Sequence, residues 1–189
     1  MKEIMEIDVI PEKERYTYED YARLPEGAPY QLIGGQLIMV PAPIPYHQEV
    51  SKKLEYLLYD HVELKHKLGK VYDAPIDVYL GEDETYQPDI IFILNERLRI
   101  IKEDKIEGSP DLVIEILSPS TAYYDLVPKK EVYARHGVRE YWIVDPMKKM
   151  IEIYENRDGE FVIIRKEGKG GRINSVIIHG FEVELDVIF

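Results

Sequence analysis

Two carboxylates stand in stretches that ought to be wholly apolar. Glu115 sits in the middle of "PDLVIEILSPS", and Asp89 follows Pro88 at the head of "PDIIFIL". An ionised carboxylate taken out of water costs several kcal/mol, comparable to the net stability of a small domain, unless a cation or hydrogen-bond donors compensate. Alternation does not carry Glu115 to solvent, because Val113, Ile114, Ile116 and Leu117 cover both faces of its strand. A structural salt bridge or a strand end reaching solvent would satisfy a lone glutamate, and a Pro-Asp dipeptide is a common turn. Taken together, two acids from adjacent core strands would repel unless a hard divalent cation such as magnesium lay between them. Asp77, just upstream, is a possible third acid, and it could equally face solvent. Metal-assisted cleavage of a phosphodiester also gains from a cationic side chain near the attacking water or the phosphate. Lys129 could supply one, since it lies one turn from Asp125 and one from Tyr133 on an expected helix. From spacing alone the plainer reading is an Asp125–Lys129 surface pair worth about 0.3–0.5 kcal/mol. Lys130 is a neighbouring decoy.

The elements that must position these groups follow from period and punctuation. "TYEDYARLPEG" carries a capping-box pattern, Thr17 followed by Asp20, and predicts a short helix. "YQLIGGQLIMV" predicts a hairpin turning at Gly34 and Gly35. Apolar residues Val50, Leu54, Leu57, Leu58, Leu64 and Leu68 recur at helical spacing within Pro45 to Leu68, with Gly69 as the stop. "VYDAPIDVYLG" alternates like a single strand, while "PDIIFIL" and "DLVIEIL" are nearly continuous apolar runs that suit central strands. "NERLRIIKEDKIEGS" reads as a connection with at most a turn of helix. A helix is expected over Tyr124 to His136, with Pro128 in its first turn and Gly137 at its end. "EYWIVD", "MIEIYE", "FVIIRK" and "SVIIHGFEVELDVIF" are β-rich, "NRDG" is a hairpin turn, and "EGKGGR" reads as another. Strands outnumber helices, so the fold class is α+β with a mixed sheet.

The totals set bounds. A chain of 189 residues, 45% hydrophobic, suits one domain over 1–189. With no cysteine, thiolate zinc sites and cysteine nucleophiles are excluded, and a cytoplasmic setting is the simplest expectation. The charged opening "MKEIMEIDVIPEKERYTYED" lacks the apolar core of a leader and no stretch is long enough to span a membrane, so an unprocessed soluble protein is expected. A formal charge of −12 argues against broad attraction to nucleic acid, so any such function must be local. His61 and His66 are five apart, outside the i, i+4 spacing of a helical zinc pair, and "EGKGGR" lacks the spacing of a phosphate loop.

"QPDIIFI", "PDLVIEILSPST", "YYDLVPKKEVYARHGVREYWIVDP" and "YQLIGGQLIMVPAPIPYHQEVSKKL" together resemble the Uma-type "putative restriction endonuclease" family within the PD-(D/E)XK nuclease superfamily. The resemblance runs from about Tyr16 to the C-terminus. It implies a restriction-endonuclease-like core, α+β with an α/β-like centre, in which a mixed sheet is flanked by helices. It also implies a Mg2+- or Mn2+-dependent endonuclease acting on DNA. Asp89 and Glu115 would be its metal ligands, aided by the backbone carbonyl after Glu115, and Lys129 its catalytic lysine. Where the superfamily places that lysine, two residues after its acid, this chain has Leu117, and a lysine from the next helix stands in. Where the family reads "YELIDGEL" this chain reads "YQLIGGQL", so Gln31 and Gln36 replace two acids, leaving carbonyl acceptors without the charge. That exchange supports an alternative, a catalytically idle nuclease fold used as a binding or assembly module. His47 in "PYHQEV" matches a histidine of the family and joins Asp77, Gln31 and Gln36 as an accessory candidate. Cutting both strands of a duplex suggests a homodimer.

Overall fold

Continuous apolar runs need cover on both faces, and the computed structural model, which describes residues 12–189, supplies it in layers. The charged opening read above as leaderless falls mostly in residues 1–11, outside the described residues. A first helix, α1 (Tyr18–Tyr21), leads into the hairpin β1 (Tyr30–Ile33) and β2 (Gln36–Met39). The Asp20 carboxylate accepts from the Thr17 backbone N–H at 3.1 Å, closing the start of α1. Gly34 and Gly35 turn the hairpin at φ 58° and 75°, values that glycine reaches without steric cost. Helix α2 (Pro45–Tyr59) then runs directly into a π-helical turn over Asp60–Lys65.

Strands β3 (Gly69–Asp73), β4 (Val78–Gly81), β5 (Glu84–Tyr86) and β6 (Ile90–Leu94) follow. After a 3-10 turn over Asn95–Ile100 come β7 (Ile106–Glu107), β8 (Leu112–Ile116), α3 (Ala122–Leu126) and α4 (Pro128–Arg135). The chain closes with β9 (Glu140–Asp145), β10 (Met150–Arg157), β11 (Glu160–Gly168), β12 (Arg172–Asn174), β13 (Glu182–Glu184) and α5 (Leu185–Ile188). The central sheet has six strands in the order β11-β10-β9-β8-β6-β3 and is mixed, since β8 and β9 run parallel while the other pairs are antiparallel. A second sheet, β2-β1-β5-β4-β7, and the β12-β13 pair complete the strands, giving the α+β class expected from the sequence.

Each face of the central sheet has its own core. On one, Ile90, Phe92, Leu112, Ile114, Trp142 and Val144 pack against Val50, Leu54, Leu58 and Val62. Burying each of those helix side chains is worth about 1.5–3 kcal/mol. On the other, Ile91, Ile93, Val113, Tyr141 and Ile143 meet Val132 and Tyr133 of α4 and Val78, Tyr86 and Ile106 of the second sheet. Glu115 shares that second face with Val113, so it points toward α4 rather than toward water. Among the described residues no helix is long and apolar enough to cross a membrane.

Several expectations change. The alternating stretch around Asp77 is two strands in different sheets, β3 ending at Asp73 and β4 starting at Val78, with Pro75, which has no N–H to give a ladder, between them. The single helix expected over Tyr124 to His136 is two, since Val127 leaves helical backbone at φ −122° and ψ −83° before Pro128 restarts it. "EGKGGR" is a tight turn, with Gly171 N–H on the Gly168 carbonyl at 2.9 Å, but it links β11 to β12 rather than closing a hairpin. Of the C-terminal β-rich run only β13 is a strand, and the last turn is helical.

Candidate active site

The register of β6 and β8 brings the two acids together. Ile90 pairs with Ile114, so one step further along this antiparallel ladder Asp89 faces Glu115. The Asp89 Oδ2 accepts the Ile116 backbone N–H at 2.7 Å, which fixes the carboxylate at the strand end. Asp89 keeps 20% of its side chain exposed whereas Glu115 keeps 3%, so one acid opens to solvent and the other lies beneath it.

His47, in the first turn of α2, reaches the same strand end. Its Nε2 lies 2.9 Å from the Ile116 carbonyl oxygen and 3.4 Å from Asp89 Oδ1. A carbonyl only accepts, so Nε2 carries the proton of that bond. The other ring nitrogen, Nδ1, is buried without a partner among the described residues.

Lys129 arrives from the opposite side. Pro128 starts α4, so Lys129 lies in its first turn with its side chain only 5% exposed. Its Nζ sits 3.0 Å from Glu115 Oε1 and 2.8 Å from Asp125 Oδ1. The Tyr133 hydroxyl donates to the same Glu115 Oε1 at 2.9 Å. The Asp125–Lys129 pair expected at the surface therefore exists but is buried, and it shares its lysine with Glu115. Lys130 turns away and lies 3.5 Å from the Tyr154 ring centre.

Burial pushes the Glu115 carboxyl up to about 8, with Lys129 opposing the rise and the Asp125 and Asp89 carboxylates adding to it. Burial also raises Asp125, again against Lys129. For Lys129 burial alone would lower the pKa, but the Glu115 and Asp125 charges overcome it and hold the ammonium form well above the ordinary lysine range. Burial likewise works against His47 protonation, and the Asp89 hydrogen bond and charge more than reverse it.

The remaining candidates fall elsewhere. Asp77 accepts from the Tyr21 hydroxyl at 2.8 Å and from Gln87 Nε2 at 2.9 Å, and its placement is explained by that network. Gln31 is buried with its Oε1 unpartnered among the described residues, and Gln36 is exposed beside the hairpin turn. No hydrogen bond among the described residues ties either glutamine to the acids. Asp125 and Tyr133 escaped sequence reasoning as members of the site. Their spacing from Lys129 was visible, but not the break at Val127 that turns Asp125 inward.

Three carboxylates face one lysine and one imidazole here, an excess of negative charge in a confined space. Asp89 Oδ1, the Ile116 carbonyl and Glu115 Oε2, which accepts no hydrogen bond among the described residues, form an all-oxygen donor set. Such a set fits a hard divalent cation. Among the described residues no three His, Cys, Asp or Glu side chains are grouped closely enough to hold a metal ion by themselves, and this oxygen set counts a backbone carbonyl as its third member.

A family model described as "Uma2: Putative restriction endonuclease" matches residues 18–187, nearly the whole chain. The chain belongs to the Uma2 family. The Uma2 match includes Asp89, Glu115, Asp125 and Lys129. An uncharacterized protein of Synechocystis sp., slr1290, is 25% identical over 166 residues, covering 85% of this chain and 83% of its own. The crystal structure of "a putative nuclease belonging to DUF820" from Anabaena variabilis superposes with a TM-score of 0.76 over 92% of this chain and 97% of that one. At 20% identity that likeness shows a shared fold for this Uma2 chain.

Proposed function

We propose that this Uma2 protein is a Mg2+- or Mn2+-dependent endonuclease hydrolysing DNA phosphodiester bonds, with Asp89, Glu115 and Lys129 as its catalytic residues. The observation that carries the reading is Lys129. The lysine absent beside Glu115, where Leu117 stands, is delivered by α4 to 3.0 Å from Glu115 Oε1. Asp89, Glu115 and the Ile116 carbonyl would hold the divalent ion. Bound there, it would acidify a water and polarise the phosphate.

Asp89, the more exposed acid, would meet the ion from the solvent side, and Glu115 would bind it from beneath. Lys129 would orient the attacking water and offset charge developing on the phosphate, the Glu115 and Asp125 carboxylates favouring its ammonium form in the metal-free protein. His47 keeps the Ile116 carbonyl and Asp89 in place through Nε2. DNA is the expected substrate, and a homodimer would present one site to each strand.

The rival reading, an idle nuclease fold serving as a binding module, draws on Gln31 and Gln36 standing where the family carries acids. One assay decides between them. Supercoiled plasmid with Mn2+ should be nicked by the native protein and about a hundredfold or more slowly by Glu115→Gln and Lys129→Met. Equal nicking by all three proteins would leave only the module.

A further inference from the structure

The π-helical turn after α2 changes the meaning of two histidines. In an α-helix residues five apart point in different directions, but a π turn closes i to i+5, and the His66 N–H here donates to the His61 carbonyl at 3.1 Å. The two imidazoles consequently stack, with ring centres 4.3 Å apart and planes tilted by 38°. His61 Nε2 lies 3.0 Å from the His179 carbonyl. That contact requires the proton on Nε2, which leaves the Nδ1 lone pair free. A backbone carbonyl on the far nitrogen is the arrangement that orients metal-binding histidines elsewhere. His66 is exposed, and neither of its ring nitrogens has a partner among the described residues.

We propose that His61 and His66 form a zinc site, distinct from the acidic one and independent of the nuclease reading. Two imidazoles on one tetrahedral zinc, at metal–nitrogen distances near 2.0–2.1 Å, place their ring centres about 5 Å apart. Reaching that spacing from 4.3 Å requires the exposed His66 ring to turn so that a nitrogen, rather than its face, meets the ion. The remaining coordination positions go to water, or to the His179 ring, which is exposed beside the same carbonyl. Nitrogen ligands select a borderline ion such as Zn2+ over the oxygen-preferring Mg2+.

The site lies at the far end of α2 from His47, about 21 Å away at 1.5 Å per residue. Its ligands connect the helix to the segment between β12 and β13, since His61 also packs edge-on against Phe181 at 5.4 Å. A bound ion would pin that segment to the helix and raise the melting temperature.

The test follows the ring resonances of the five histidines during titration with zinc chloride. It is run in a Glu115→Gln background so that the acidic site contributes less, with magnesium chloride as control. Zinc should shift His61 and His66, leave His47 and His136 unmoved, and raise the melting temperature, whereas magnesium should leave His61 and His66 unmoved. His66→Ala, an exposed change that the fold tolerates, should weaken zinc binding about tenfold or more, whereas His136→Ala should not. Zinc bound equally by His66→Ala, shifts confined to His47, or no binding at all would each overturn the proposal. None of these outcomes bears on plasmid nicking, so this site and the nuclease reading stand or fall separately.

Discussion

Lys129 is almost fully buried between the Glu115 and Asp125 carboxyl groups, and removing any one of the three leaves the others without their compensation. The consequence for stability has a definite sign. Glu115 is raised from the ordinary glutamate pKa of about 4.3 to about 8 in the folded protein. Between those values the folded state keeps a proton that the unfolded state releases, so stability falls as pH rises. Asp125 and His47 are raised as well and act in the same sense, whereas Lys129 stays charged in both states throughout this window. In EDTA, the melting temperature should therefore decline from about pH 5 to about pH 8, and Glu115→Gln should flatten the decline. A melting temperature that climbed over this range would show Glu115 ionised without cost. At this scale the sequence disclosed the oddity of Glu115 but not its neighbours. An acid in an apolar run is visible in one dimension, while Tyr133 and Asp125 converging on the same lysine depends on where α3 ends.

Strands and helices were legible wherever period and punctuation agreed, as in β6, β8, β9 and the β10–β11 hairpin. They were misjudged where a backbone constraint acted without a sequence signal. Gly69 was read as a helix stop, yet it opens β3, and its missing side chain answers a packing need. A Cβ there would lie 2.0 Å from the Ile93 carbonyl oxygen and 2.8 Å from the Phe92 ring. Ladder backbone cannot retreat, so Gly69→Ala should cost about 2–3 kcal/mol in urea unfolding, with the β3–β6 register disturbed first. Another element-level device is Glu140 at the start of β9. Its buried carboxylate accepts from Trp142 Nε1 at 2.5 Å, Ser175 Oγ at 2.9 Å, and the Val176 and Ile177 backbone N–H groups at 2.9 and 3.0 Å. Glu140→Leu strips four donors of their acceptor and should destabilise by about 3–5 kcal/mol. Hydrogen exchange should show residues 174–178 opening ahead of the central sheet.

The α+β class and the mixed sheet followed from composition and strand count. The second sheet did not, because strands as short as β5 and β7 bury too few residues to leave a pattern. Charge is the property that the whole molecule brings to the site. At −12 the protein repels a polyanion over long range, and the candidate site adds three carboxylates against one lysine and one imidazole. Phosphate binding by clustered basic residues would show the steep salt dependence of counterion release. On the proposed function, attraction would come instead from a divalent ion seated among the acids, and it would be lost when that ion or its ligand is removed. Fluorescence anisotropy with a labelled duplex should accordingly detect binding in Ca2+, which occupies oxygen sites, and little or none in EDTA at equal ionic strength. Asp89→Asn should weaken the Ca2+-dependent binding about tenfold or more while leaving the fold intact, since the amide can still approach Ile116. Binding of equal strength in EDTA would mean that the duplex is gripped by a surface remote from Asp89 and Glu115, and the placement of the reaction at those acids would have to be abandoned.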